Sequence, residues 1–262
     1  MICRREEDGW LLISQPAHAW LAGELAARWG NDEFESPTPH NAVIMATRLH
    51  DIGWAERDAQ PRLNDQGRPV NFLETTLEET HPIWERAIEK VGLMDPYAGL
   101  LVGMHAETIY RRRLERSADR PKSQQEVQVR IKELEQHRAA VRTELHDHPI
   151  YSKKVALAKL EANYRILRAC DLFSLAVCTG NSPSGMTDQV PRKYDGDHVP
   201  LGYSLSSEAG LQISPYPLQD GPLRLSLSAR KVGSSTFGDF EEFWAALQTA
   251  EWVSLEFEFK SG

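Results

Sequence analysis

The spacing of apolar residues changes period along this chain. Ile2 and Cys3 lie before Asp8-Gly9 and Trp10, Leu12 and Ile13 after it, the pattern of a short β-hairpin. From Pro16 to Trp29, Trp20, Leu21, Leu25 and Trp29 recur at helical spacing, and Gly30-Asn31 supplies a C-cap. A second helix is predicted from Asn41 to Trp54, around Val43, Ile44, Ala46, Thr47 and Leu49. Ala55 to Val70 is polar, carries Pro61, Gly67 and Pro69, and reads as a loop. Helical spacing returns from Glu74 to Val91 through Leu77, His81, Trp84 and Ile88, which puts His81 on the core-facing stripe. Another helix begins at Pro96 and runs to Tyr110. A densely charged one from Ser123 to Leu145 opens with the capping box Ser123-Gln124-Gln125-Glu126, and Lys153 to Val177 forms the last long helix.

Beyond Thr179-Gly180 the residues are dominated by Asn, Ser, Pro, Gly and Asp as far as Ser207, which reads as a loop closing the helical domain. Period-two alternation then marks strands at Leu223, Leu225 and Leu227 and at Val253, Leu255, Phe257 and Phe259. A short helix carrying Phe240, Phe243, Trp244 and Leu247 lies between them. The expected fold is mainly α: a helical bundle with a small β-rich element formed by the N-terminal hairpin and the C-terminal strands. Its parts are a hairpin at 1–15, a helical domain at 16–178, and a loop plus small α+β region at 179–262 packed on the hairpin.

Composition narrows the chemistry. The chain has 262 residues, 41% of them hydrophobic, so it can bury a sizeable core. Its formal charge of −8 argues against an extended nucleic-acid footprint or an anionic membrane surface, and for a small or local substrate. Cys3, Cys170 and Cys178 form no CxxC pair, which suggests neither a disulfide framework nor a thiolate zinc site. With no membrane-length apolar run and no signal-peptide pattern at its start, the chain reads as cytoplasmic. A homodimer is compatible with the sequence.

Four histidines and two aspartates then stand out: His18, His50, Asp51, His81, His105 and Asp171. Apart from the adjacent His50-Asp51, each falls in its own predicted helix among apolar residues, and a bundle brings such positions to a shared centre. A buried carboxylate needs a cation, and Asp51 and Asp171 both pose that demand amid imidazoles. The donors suit Fe, Mn, Zn or Co, with Mg also compatible, in a site of one or two divalent metals. Trp54, Arg57 and Glu107 are candidates for the pocket mouth. Arg111-Arg112-Arg113 reads as a solvated helix end and His146-Asp147-His148 as a polar turn.

The order His18, then Leu49-His50-Asp51-Ile52-Gly53, then Asp171, all helix-borne, resembles the HD superfamily of metal-dependent phosphohydrolases over roughly residues 16 to 177. The layout with a leading hairpin and a β-rich tail also resembles an uncharacterised bacterial family of HD-like proteins. The resemblance implies an HD-type helical bundle and hydrolysis of a phosphoester or phosphoanhydride by a metal-activated water. In binuclear members two further histidines, matched here by His81 and His105, bind a second metal. Asp51 would then bridge the ions and hold the nucleophile, while His18, His50 and Asp171 complete the first. Two departures bear on substrate: many relatives place Lys where this chain has Trp54, and the Gly-Tyr-Pro extension of the cyclic-dinucleotide branch is absent. A few HD-fold relatives use the same six-ligand order for a di-iron oxygenase, and a non-catalytic metal-containing binding protein is the third reading.

Overall fold

The structure, a computed structural model, describes all residues except 117–120, 182, 194–195 and 207–209, and the side chains of 116 and 121–123. Ile2–Glu6 (β1) and Gly9–Ile13 (β2) pair antiparallel, with Ile2 opposite Ile13 and Cys3 opposite Leu12. Alternation buries this hairpin on both faces, Ile2, Leu11 and Ile13 on one, Cys3 and Leu12 on the other. Ser14 then caps Gln15–Ala27 (α1), its side chain accepting from the Ala17 amide, with Pro16 in the first turn.

His40–Leu49 (α2) ends sooner than its apolar pattern predicts. His50 is its C-cap, Asp51 opens a 3₁₀ turn over Ile52–Trp54, and Ala55–Asp58 (α3) follows where the sequence suggested a loop. Gly53 is required there: a Cβ on it would sit 2.0 Å from the Ile83 carbonyl oxygen, so the turn lies directly on the backbone of Leu77–Met94 (α4). That helix is opened by a capping box between Thr76 and Glu79. Pro96–Arg116 (α5), Pro121–His146 (α6) and Leu157–Thr179 (α7) complete the bundle, and Gly180 closes α7 in the left-handed conformation. Helix α6 begins at Pro121, so Ser123 lies inside it rather than at its cap; the Ser123 side chain is outside the described residues.

The mainly-α expectation is overturned by the rest of the chain. The segment read as a loop contains Ser184–Pro191 (β3) and His198–Leu205 (β4), and Gly210–Ser214 (β5) follows. With Leu223–Val232 (β6), Phe240–Thr249 (α8) and Glu251–Ser261 (β7), they build a seven-stranded mixed sheet in the order β1-β2-β6-β7-β5-β4-β3. All neighbours are antiparallel except β5 and β7. The sheet curls into a half-barrel and takes 23% of the chain against 51% in helix, so it is a major layer and not a small appendage. Its outer strands escaped the periodicity reading for a physical reason. Strand β3 buries only Thr187, Val190 and Pro191, and its alternation is broken where the register slips between Met186 and Gln189.

Helices α1 and α7 join sheet to bundle. Leu21 and Leu25 of α1, Trp29 just beyond its end, and Ile166, Cys170, Phe173 and Val177 of α7 pack with Ile13, Leu201, Leu211, Ile213, Phe257 and Phe259 in one core. The other side of α7, with Leu160, Tyr164 and Leu167, packs on α2 and α5. Helix α8 covers the opposite face of the hairpin through Phe243. Asp171 on α7 therefore lies within reach of both the bundle centre and the sheet edge.

Candidate metal centre

Five of the six singled-out residues converge. His18 is buried in the first turns of α1, where Pro16 and the Ser14 cap fix the helix start. Its Nδ1 donates to Ser174 Oγ (2.7 Å), whose own hydroxyl donates to the Asp171 carbonyl (2.9 Å). That leaves Nε2 as the inward atom, 3.0 Å from Asp51 Oδ2 and 3.7 Å from Asp171 Oδ1. His50 repeats the arrangement. Its Nδ1 donates to the Thr47 carbonyl (2.8 Å), and its Nε2, buried and without a hydrogen bond among the described residues, faces Asp171 Oδ1 at 3.3 Å and Asp51 Oδ2 at 3.6 Å. His105, from α5, brings Nε2 to 3.9 Å from Asp171 Oδ2. Its ring stands edge-on to those of His50 and Trp84, at centroid distances of 4.9 and 5.6 Å.

Two overlapping triads result, His18-His50-Asp51 and His50-His105-Asp171, each with donor atoms within 4.8 Å of one another. Because they share His50 they form one centre. Its electrostatics are those of a cation site. Burial pushes the Asp51 and Asp171 carboxyls upward, but the surrounding imidazoles outweigh it and both are held below the ordinary carboxylate range. Burial likewise works against a charged His50, yet Asp51, Asp171 and the Thr47 carbonyl raise it to about 9. Burial dominates at His105 and lowers it to about 4, which keeps that imidazole neutral. With both Nδ1 protons committed, two lone-pair-bearing Nε2 atoms face two carboxylates, an arrangement that only a proton or a metal between them makes favourable. Imidazole nitrogens and carboxylate oxygens without thiolate fit a divalent transition metal.

Residues 1–234 match the family described as "Protein of unknown function (DUF3891)". The chain belongs to this family. No curated protein and no solved structure matches it. The DUF3891 span takes in all five converging residues and the strands β1 to β6, and ends before α8 and β7.

His81 is not brought to the centre of this DUF3891 protein. Trp84 is buried, and Leu77 and Ile88 partly so, against Ala106, Tyr110, Val127 and Ile131 of α5 and α6. His81 points the same way, toward Glu85 (3.2 Å) and the Tyr110 hydroxyl (3.4 Å), so α6 rather than the bundle centre covers it. The two-metal and di-iron expectations both drew on His81 as a ligand. Trp54 and Arg57 also face elsewhere, lining a small cavity with Asp58 and Val70. Glu107 is buried in ion pairs with Arg111 (2.8 Å) and Arg138 (3.0 Å) of α5 and α6. His146 and Asp147 are exposed, as a polar turn requires.

What opens onto His105 and Asp171 instead is a cleft of about 100 Å³, rimmed by Arg112, Arg165, Arg168 and Asp188. Asp171 is the most exposed of the five converging side chains for this reason, at 15%. Of the Arg111-Arg112-Arg113 run, Arg111 turns to Glu107 and Arg113 to Thr75 and Thr80, while Arg112 goes to the cleft. A signal for some of these residues was present. Arg165, Arg168, Asp171 and Ser174 recur every three residues on one helix row, and Arg112 lies two turns beyond His105. Asp188 had none.

Proposed function

We propose that this protein is a metal-dependent phosphohydrolase of the HD type, acting on a phosphoester or phosphoanhydride of a small molecule or nucleotide. The observation that carries the reading is the arginine-rimmed cleft opening directly onto His105 and Asp171. An anion-binding rim beside a buried carboxylate–imidazole centre suits phosphorus substrates, because guanidinium groups match phosphoryl oxygens in charge and geometry. His18, His50, Asp51, His105 and Asp171 would hold the metal, which when bound supplies an acidified water and positive charge at phosphoryl oxygens. Ser174 and Thr47 hold the His18 and His50 rings with Nε2 directed inward. Burial of His18, His50 and Asp51 keeps bulk water from the floor of the site and strengthens each electrostatic contact there.

The test is turnover of p-nitrophenyl phosphate, bis(p-nitrophenyl) phosphate and nucleotides by the metal-loaded protein. Activity should be lost with a chelator and in Asp51→Ala. Turnover unchanged in that variant would sink the assignment.

A further inference from the structure

Strand β3 is the outer edge of the sheet, and it bulges beside the cleft. Met186 lies opposite Gly202 and Gln189 opposite Pro200, so three steps on β3 face two on β4. An extra residue of this kind bends a strand and re-aims its side chains. Here Thr187 turns inward, where its Oγ1 accepts from the Leu201 amide (2.9 Å). Asp188 turns across the cleft and pairs with Arg168 of α7. The bulged edge is thus the wall facing α5 and α7.

The three arginines are not equivalent. Arg165 is committed to Glu161 (3.2 Å) and to the Gln189 carbonyl (2.9 Å). Arg168 is clasped by Asp188, and Arg112 makes no ion pair among the described residues. At about 100 Å³ the cleft is small, with room for a phosphoryl group but not for a nucleoside. His105 and Asp171 line its inner end, and His18 and His50, 1% and 0% exposed, close it off behind Asp171.

We propose that the cleft takes a terminal, doubly ionised phosphoryl group, bound by Arg112 and by Arg168 released from Asp188, so that the β3 bulge selects phosphate monoesters over diesters. This rests on the phosphohydrolase reading. A diester carries a single charge and a second ester arm, which would have to pass through the closed inner end or through β3. A monoester dianion needs one open side for its leaving group and carries the charge to displace the Asp188 carboxylate. The balanced reaction adds water to phosphorus and breaks the bond to the leaving oxygen, giving the alcohol and hydrogen phosphate with no further reactant.

The experiment measures inorganic phosphate binding by ³¹P NMR titration of the metal-free and Zn(II)-loaded protein, alongside kcat and KM for p-nitrophenyl phosphate and bis(p-nitrophenyl) phosphate. Asp188→Asn should tighten phosphate about twofold to fivefold by freeing Arg168 from an exposed pair. Arg112→Ala and Arg168→Ala should each weaken it about tenfold, the worth of one charge-assisted hydrogen bond. Arg112 is exposed, so its variant tests the site even if the clasp variants fail to fold. The wild type should prefer the monoester in kcat/KM by at least about tenfold. Phosphate affinity indifferent to Arg112→Ala and Asp188→Asn overturns the proposal. A preference for the diester also overturns it and leaves the phosphohydrolase reading intact. If phosphate binding follows the arginine variants but neither ester is turned over, the hydrolase reading fails and the phosphoryl site is supported by binding alone.

Discussion

Replacing Ser174 by alanine removes a prop of the centre. Ser174 is fully buried, accepts the His18 Nδ1 proton at 2.7 Å and donates to the Asp171 carbonyl at 2.9 Å. Without its Oγ the Nδ1–H becomes an unpaired buried donor, a penalty of about 1–3 kcal/mol. The metal-free protein can avoid that penalty by moving the proton to Nε2, where Asp51 Oδ2 stands ready at 3.0 Å. The tautomer so formed has no lone pair to offer a metal. The loss therefore falls on metal affinity, about 10- to 100-fold for an outer partner of a ligating histidine. Expressed as free energy this is about 1.4–2.7 kcal/mol. Saturating metal stabilises the fold through its dissociation constant, so the metal-induced rise in Tm should shrink by about 3–11 °C for a chain of this size. The assay is chelator competition with Zn(II) and Mn(II), paired with melts of metal-free and loaded protein. Wild-type metal affinity together with an unchanged metal-induced shift would refute the assigned role of Ser174.

Gly53→Ala places a Cβ 2.0 Å from the Ile83 carbonyl, so the His50-Asp51 turn must move off α4; overpacking of this kind costs about 1–3 kcal/mol, and a melt indistinguishable from wild type would contradict the contact. His81→Ala should keep the wild-type metal stoichiometry while His105→Ala lowers it, as elemental analysis of the purified variants would show; equal losses would return His81 to the centre. In the metal-free protein, protonation of His50, raised to about 9, stabilises the fold fully below pH 6.5, and that contribution is lost as pH rises toward 9. His105, lowered to about 4, contributes in the opposite sense, above 6.5 and lost as pH falls toward 4. Since a metal displaces the His50 proton, apparent metal affinity should climb about tenfold per pH unit between pH 7 and 9, and a flat profile in a buffered titration would argue against His50 as a ligand.

The elements that could be read from the chain are those whose own side chains supply a repeating face. Strands β6 and β7 alternate without interruption through Leu223, Leu225 and Leu227 and through Val253, Leu255, Phe257 and Phe259, so their period is visible in any short window. Strand β4 buries only Leu201 and Tyr203 among polar and small residues, and β5 is five residues long, so what makes them strands is their neighbours. The break in α2 at His50 was hidden for the related reason that Ile52 and Trp54 continue its apolar pattern. The turn there is imposed by contact with α4, which no local signal announces.

The same distinction runs through the site. His18, His105 and Asp171 lie on bundle helices, and His50-Asp51 at the end of one, whose buried faces are encoded in their own spacing, so a sequence reading reaches them. His81 satisfies the identical rule and still faces away, because periodicity reports that a face is covered without saying by what. The covering element is α6, whose thin apolar face at Val127 and Ile131 packs on the Trp84 stripe. At the cleft the dependence on context is stronger. Arg168 shares a helix row with Asp171, but its partner Asp188 reaches the cleft only because an edge strand bulges, a feature of pairing between β3 and β4 that neither segment shows alone. Candidate ligands carried by helices and a helix end, and a cleft wall carried by a sheet edge, are thus specified at different ranges along the chain, which is why the His/Asp cluster is legible sooner than the shape of the cleft beside it.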